Sequence, residues 1–224
     1  MKIGFVIADE NEYLPFIEFA KENNCRTMRR RGRESVEFNY KNNELIAVKA
    51  GIGKVNAATT AAFLIADDNV DVILNFGLSG AISGFAKNDV VAGSTYIECD
   101  FDLTAIGYPL GKKPQETYIY NADEKLFNAA MSIDGMKDAK CGCGDLFLAD
   151  PVKKNLFKEH FSITEFDMET GAIASVCNDA GIPFLAIRQI SDTADDAAAE
   201  SYRDLNKQQP ADLTEIIKKL LEII

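Results

Sequence analysis

The chain has 224 residues, 47% hydrophobic and 26% charged, which fits a folded α/β or large all-β domain and excludes a disordered chain, a collagen-like repeat or a coiled coil. Its 24 Lys and Arg against 35 Asp and Glu leave a formal charge of −11, so there is no cationic footprint for a nucleic acid or an anionic membrane surface. One histidine and 5 scattered cysteines exclude a His-rich zinc site and two-histidine catalysis, and point to free, buried thiols.

The first apolar run, 2–7 (KIGFVI), reads as a buried strand. With acids following at once it is too short for a signal peptide or a membrane span, so a cytoplasmic protein is expected. Residues 10–22 read as a helix with acids at its start, and Pro15 moves the expected start of regular helix toward Glu12 or Leu14. Strands at 35–40 and 44–49 flank a Lys41-Asn42-Asn43 turn. Then come a helix at 54–67, a buried strand at 71–76, a strand at 89–98 and a polar Gly/Pro-bearing stretch at 107–116. A helix at 123–133, a strand at 139–144, helices at 151–159 and 169–180, a strand at 183–190 and a terminal helix at 211–223 complete the chain.

Strands apolar on both faces, alternating with helices, predict a largely parallel sheet covered on both sides. No repeat, low-complexity tract or linker divides the chain, so one domain over 1–224 is expected. In such sheets a ligand gathers at the carboxyl ends of the strands, here 8–12, 77–81, 99–104, 145–148 and 191–195.

Glycine motifs do not make a nucleotide site. AGIGKV at 50–55 has Val48 where a phosphate-binding loop needs glycine and Val55 where it needs Ser or Thr. GLSGA at 77–81 and CGCGD at 141–145 lack the dinucleotide spacing, so these glycines let the backbone turn tightly or approach a ligand or another segment. Acids at strand ends carry more. Asp9-Glu10-Asn11-Glu12 follows the first strand and Ser191-Asp192-Thr193-Ala194-Asp195 the last. Taken singly, each fits a helix dipole or an N-cap. If the two strands meet in one crevice, they supply a general base and a general acid from remote parts of the chain.

In FDMETGAIA, 166–174, Asp167 and Glu169 flank Met168; in an extended segment the acids share one face and the methionine takes the other. The alternative there is helix capping, with Met168 as core filler. Arg188, inside the apolar run IPFLAIRQISD, is costly to bury unless it orients a carboxylate or a ligand. Lys49, Lys54 and the Cys141-x-Cys143 pair take no role from this reading, and His160 is expected at the surface.

KIGFVIADENE, AGIGKVNAA, NFGLSGA, DLTAIGYPLG, CGDLFL, FDMETGAIASVC and AIRQISDTAD, in this order and spacing, resemble the 5′-methylthioadenosine/S-adenosylhomocysteine nucleosidases of the purine nucleoside phosphorylase superfamily. The resemblance implies a three-layer α/β/α domain with a mixed, mostly parallel sheet, no cofactor or metal, a purine nucleoside as ligand, and a homodimer. It implies Glu12 as the base that activates water and Asp192 as the acid at purine nitrogen 7. Glu169 matches the ribose-binding carboxylate, Met168 lies beneath the sugar, Arg188 is near the water, and Ser191 steadies Asp192. Phe147 and Leu148 match residues at the base. Ile52, Leu103, Ile106 and Tyr202 match the 5′-alkylthio pocket, and Tyr108 and Pro114 match residues lent to the neighbouring subunit. Asp9 replaces a methionine, and Leu78 a small hydroxyl residue with Ser79 displaced by one. Asp167 stands for a glutamate, and Tyr202 adds a hydroxyl to the pocket.

Breaking a bond between a purine and ribose leaves positive charge on the sugar and negative charge on the base, which carboxylates and an acid stabilise. Acids in the first loop repel a phosphate nucleophile, so hydrolysis is expected. A nucleosidase of different 5′ specificity, such as a futalosine hydrolase, a phosphorylase and a non-catalytic nucleoside-binding protein stay open as alternatives.

Overall fold

The computed structural model describes residues 1–194, 198 and 212–224. A strand buried on both faces has to lie between two others, and β1 (Lys2–Ile7) does: Ile3, Phe5 and Ile7 enter one core and Val6 another. It pairs in parallel with β4 (Asn43–Lys49) and with β5 (Val72–Ala81), and β10 (Phe184–Asp192) continues in parallel beyond β5. Outward from β4, antiparallel pairings lead to β3 (Arg33–Tyr40) and the edge strand β2 (Arg26–Arg30). On the other side, β6 (Val90–Glu98) runs antiparallel to β10, parallel to β8 (Met136–Cys143), and carries the short β7 (Ile119–Asn121). Finally β9 (Glu165–Asp167) pairs parallel with β8 and antiparallel with β5.

Because β10 pairs with both β5 and β6, and β9 with both β5 and β8, these strands close a ring β5–β10–β6–β8–β9, from which β1, β4, β3 and β2 run out as an open wing. The sheet is mixed, with parallel pairing through β4–β1–β5–β10 and β6–β8–β9. Helices cover both faces. On one, α1 (Glu10–Glu22), α3 (Glu124–Met131) and α6 (Thr214–Ile223) bury Phe16, Leu126 and Leu220; on the other, α2 (Lys54–Ala66) and α5 (Thr170–Ala180) bury Leu64 and Ile173. Each large apolar side chain so buried contributes roughly 1.5–3 kcal/mol. A third, smaller cluster joins Phe157 of α4 (Pro151–Phe161) to Phe166. Among the described residues no helix is long and apolar enough to cross a membrane.

Several local expectations shift. A capping box fixes the start of α1: Asp9 accepts from the Asn11 N–H at 2.8 Å while Glu12 Oε2 accepts from the Asp9 N–H at 3.1 Å. The helix therefore begins at Glu10, and Pro15 lies inside it, giving up one backbone hydrogen bond. The terminal helix begins at Thr214 rather than 211, a position outside the described residues. Strands β5 and β10 run past their expected ends together, with Ile190 opposite Ser79 and Asp192 opposite Gly80 across a bulge. That joint extension carries both strands into the functional cleft.

All 5 cysteines are free, and four of them are buried. Lys49 pairs with Glu10 and Glu34, and Lys54 with Glu98 and Asp100 at 3.1 and 2.7 Å, so both lysines join neighbouring elements by ion pairs. The exposed His160 sits at the end of α4, its Nε2 3.0 Å from the Leu110 carbonyl.

Candidate active site

At the carboxyl ends of β1, β5, β9 and β10 lies a cavity of about 320 Å³, lined among others by Glu12, Glu169 and Asp192. The three acids come from the first helix, the β9–α5 junction and the last strand. Among the described residues no lysine, arginine or histidine lines it.

Glu12 is held at both oxygens. Oε1 accepts from the Leu78 N–H at 2.8 Å and Oε2 from the Asp9 N–H. Burial raises its carboxyl above the ordinary value, while the Arg188 charge and these two N–H groups pull it back. Gly77 makes this placement possible: a Cβ there would stand 2.8 Å from Glu12 Cδ.

Asp192 lies against the neighbouring turn, Oδ1 accepting from the Ala194 N–H at 2.8 Å. Its Oδ2 is 2.6 Å from Ser191 Oγ, which is also 3.1 Å from the Ser79 carbonyl oxygen. A carbonyl can only accept, and the serine has one proton. Both contacts are hydrogen bonds when Asp192 itself carries a proton and donates to Ser191. Gly80 leaves room for this arrangement, since a Cβ on it would meet Asp192 Oδ1 at 2.9 Å.

Glu169 Oε1 accepts from the Gly53 N–H at 2.9 Å. Burial, then the Asp167 charge, push its carboxyl up to about 8 against the opposing pull of Arg188. Gly53 has φ of +96°, a conformation in which glycine is favoured, and its loop is fastened by Asp145 accepting from the Lys54 N–H at 2.8 Å. The AGIGKV and CGCGD glycines thus serve the close approach of one segment to another.

Asp167 and Met168 also line the cavity. The expected division of faces, acids on one and methionine on the other, does not hold, because the chain leaves extended geometry at Glu169 to begin α5. Asp167 has no free oxygen for a ligand. Oδ1 accepts from the Glu169 and Thr170 N–H groups at 2.7 and 2.8 Å, and Oδ2 from Thr170 Oγ1 at 2.7 Å and Arg188 Nε at 3.2 Å. It caps α5 and so sets the position of Glu169. Arg188, 1% exposed, also donates through Nη2 to Asn75 Oδ1, and it stands behind the cavity wall rather than in it.

Of the remaining expected residues, Ile52, Leu78, Ser79, Phe147, Leu148 and Ser191 line the cavity. Leu103, Ile106, Tyr108 and Pro114 do not; they belong to the segment around a 3-10 turn at Thr104–Ile106, where Ile106 is 70% exposed. Tyr202 and Asp195 lie outside the described residues. Ala8, Gly80, Leu146 and Ala194, from the strand-end segments where a ligand was expected, also line the cavity, as does Phe166; sequence reasoning did not single out Asn75, whose Nδ2 donates to the Val6 carbonyl at 2.6 Å while its Oδ1 receives Arg188. Only a lone polar residue in the apolar run DVILNF hinted at Asn75. Among the described residues no group of three His, Cys, Asp or Glu side chains could hold a metal ion.

A family model described as the phosphorylase superfamily matches residues 2–224. A 5′-methylthioadenosine/S-adenosylhomocysteine nucleosidase of Shewanella piezotolerans is 33% identical over 211 residues, 90% of each chain. A crystal structure of the Helicobacter pylori 5′-methylthioadenosine/S-adenosylhomocysteine nucleosidase with butyl-thio-DADMe-Immucillin-A superposes with a TM-score of 0.95 at 25% identity, covering 100% of this chain and 99% of that one. The native structure of Helicobacter pylori futalosine hydrolase gives 0.94 at 25% identity, covering 100% and 98%.

Proposed function

This chain belongs to the phosphorylase superfamily and, within it, to the 5′-methylthioadenosine/S-adenosylhomocysteine nucleosidases, and on that premise we propose that it hydrolyses the N-glycosidic bond of 5′-methylthioadenosine and S-adenosylhomocysteine. The observation that carries this reading is the convergence of Glu12, Glu169 and Asp192 on one cavity that no cationic side chain lines among the described residues. Phosphate, as a dianion, finds no cationic partner among those residues and meets acids instead, whereas water requires only a base.

Glu12, steadied by two backbone N–H groups, takes a proton from water as the oxygen attacks C1′ of the ribose. The C1′–N9 bond breaks with its electron pair passing to the purine, and Asp192 gives its proton to nitrogen 7. Adenine and a 5-thioribose leave. The Ser79–Ser191–Asp192 chain supports Asp192 as the proton-bearing partner. Glu169 accepts hydrogen bonds from the ribose hydroxyls, and with Glu12 it faces the positive charge that grows on the sugar. Phe147, 46% exposed at the cavity mouth, stacks on the base, Leu148 borders it, and Met168 lies under the sugar. Arg188, Asp167 and Ser191 are positioning residues.

Ile52 borders the 5′ end, and Leu103 and Ile106 join it when a second copy lends Tyr108 and Pro114. The exposed apolar side chains Ile52, Val55, Ile106 and Tyr108 support such a homodimer. A sedimentation mass twice the 24.6 kDa of the chain is expected. Free thiols throughout support a reducing, cytoplasmic setting. Asp9, a carboxylate in the lining, favours a second reading in which the preferred 5′ substituent differs, as in a futalosine hydrolase. A panel of 5′-substituted adenosines and futalosine, ranked by kcat/KM, separates the two. The primary test is adenine release from 5′-methylthioadenosine by the wild type and by Asp192→Asn. Turnover is expected in the first and loss of roughly 100-fold to 10,000-fold in the second; near-normal release by a folded variant removes the acid role.

A further inference from the structure

The strand ring encloses a buried acid that the hydrolytic steps do not use. Glu165 of β9 is 0% exposed, and neither carboxyl oxygen has a hydrogen-bond partner. Around it stand Ser79 on β5, Cys141 on β8, Asp167 on β9 itself and Arg188 on β10. Tyr96 on β6 faces the same interior, its hydroxyl donating to the Gly93 carbonyl and receiving the Ala186 N–H. Ser79 Oγ is likewise buried and without a partner.

Four acids, Asp167, Glu165, Glu169 and Glu12, act on the one charge of Arg188. If all were ionised, most of that negative charge would be uncompensated in a dry interior, at a cost of several kcal/mol per ion. Hydrogen bonds rank the four. Asp167 accepts from two N–H groups, a hydroxyl and the guanidinium; Glu12 accepts from two backbone N–H groups; Glu169 accepts from one; Glu165 accepts from none. Donors stabilise the ionised form, so the acid without donors holds its proton most firmly.

We propose that Glu165 stands as the neutral carboxylic acid on the face it shares with the likewise unpartnered Ser79 hydroxyl, as a positioning residue for the active site. In that state it leaves Arg188 to Asp167, whose capping bonds place Glu169, and it steadies the strand end whose Ser79 carbonyl receives Ser191 beside Asp192. Burial and then the Asp167 charge, opposed by Arg188, push the Glu165 carboxyl up to about 8, in agreement with the hydrogen-bond ranking.

Infrared difference spectra of the unliganded protein test this directly, and because they need no substrate they stand apart from the substrate assignment. At pH near neutral, the wild type minus Glu165→Gln spectrum is expected to hold a protonated-carboxyl C=O band that disappears as pH is raised past about 8. The band is expected to move in Ser79→Ala, a variant that keeps the test usable if Glu165→Gln does not fold. A spectrum without the band, or a band unmoved in Ser79→Ala, overturns the proposal. The kinetic arm rests on the proposed nucleosidase activity. Glu165→Leu, which packs but has no polar end, is expected to lose about tenfold in kcat, with the neutral, polar Glu165→Gln recovering most of it. Equal losses in the two variants overturn the positioning role.

Discussion

Replacing Gly77 with alanine tests whether the Glu12 carboxylate has to stand where it does. A Cβ at position 77 would lie 2.8 Å from Glu12 Cδ and 3.0 Å from Oε2, with Oε1 nearer still, whereas ordinary van der Waals contact begins at 3.4 Å. The carboxyl carbon therefore has to withdraw by about 0.6 Å and Oε1 by more, enough to break the bond from the Leu78 N–H. Misplacing a reacting group by about 1 Å costs on the order of 100-fold, and losing a charge-assisted hydrogen bond costs roughly 1.5–3 kcal/mol, a similar factor. The fold has no reason to fail. Gly77 is not among the positive-φ residues, and the obstructed atoms are the end of a side chain that can swing into the cavity. Initial rates of adenine release from 5′-methylthioadenosine, measured beside thermal unfolding, should show kcat reduced about 100-fold and Tm changed by less than about 5 °C. A Gly77→Ala protein with kcat within about threefold of the wild type would refute the pinned-carboxylate argument.

Arg188→Met removes the cation that the buried acids share, and denaturant unfolding near neutral pH should show a loss of about 3–5 kcal/mol, shrinking toward acid pH as the carboxyls protonate; a loss independent of pH contradicts this. Glu169, held up to about 8 in the empty site, should ionise when ribose hydroxyls donate to it. Binding of a non-hydrolysable nucleoside analogue near neutral pH should then release a proton and tighten as pH rises toward 8, read by calorimetry in buffers of different ionisation heat. No net proton release contradicts this. The Glu165 carboxyl is raised in the fold from 4.5 to about 8, so the native state keeps a proton that the unfolded chain gives up, and wild-type stability falls as pH rises through that window. Glu165→Gln has no such proton. Its stability relative to the wild type should improve between those pH limits by at least about 1.4 kcal/mol, the worth of one pK unit, and a constant difference contradicts the shift.

The three acids of the cleft were legible because each stands where an apolar strand ends, and a carboxylate there is either a cap or a ligand group. In the structure both readings hold within a few residues: Asp9 and Asp167 cap helices, while Glu12 and Glu169 next to them face the cavity. Spacing alone does not divide such neighbours, because the division depends on where the chain turns from strand to helix. Strand β2, RTMRR, has no apolar alternation to announce it; it is an edge strand, held by Arg30 pairing with Asp68 and Glu37. Ring closure was equally hidden, since it depends on β10 and β9 each pairing on two sides. Glu165 shows the same limit. In the sequence it is one more acid in TEFDME, and only the ring turns it inward beside Arg188. The glycines at 53, 77 and 80 were read as sites of close approach, but the carboxyl groups they admit come from distant segments.

The most direct measurement of the central claim is the identity of the sugar released from 5′-methylthioadenosine with and without inorganic phosphate. If Glu12 activates water, as proposed, in a cleft that no cation lines among the described residues, free 5-methylthioribose forms at the same rate in both. Formation of a sugar 1-phosphate, or adenine release only when phosphate is supplied, contradicts the account.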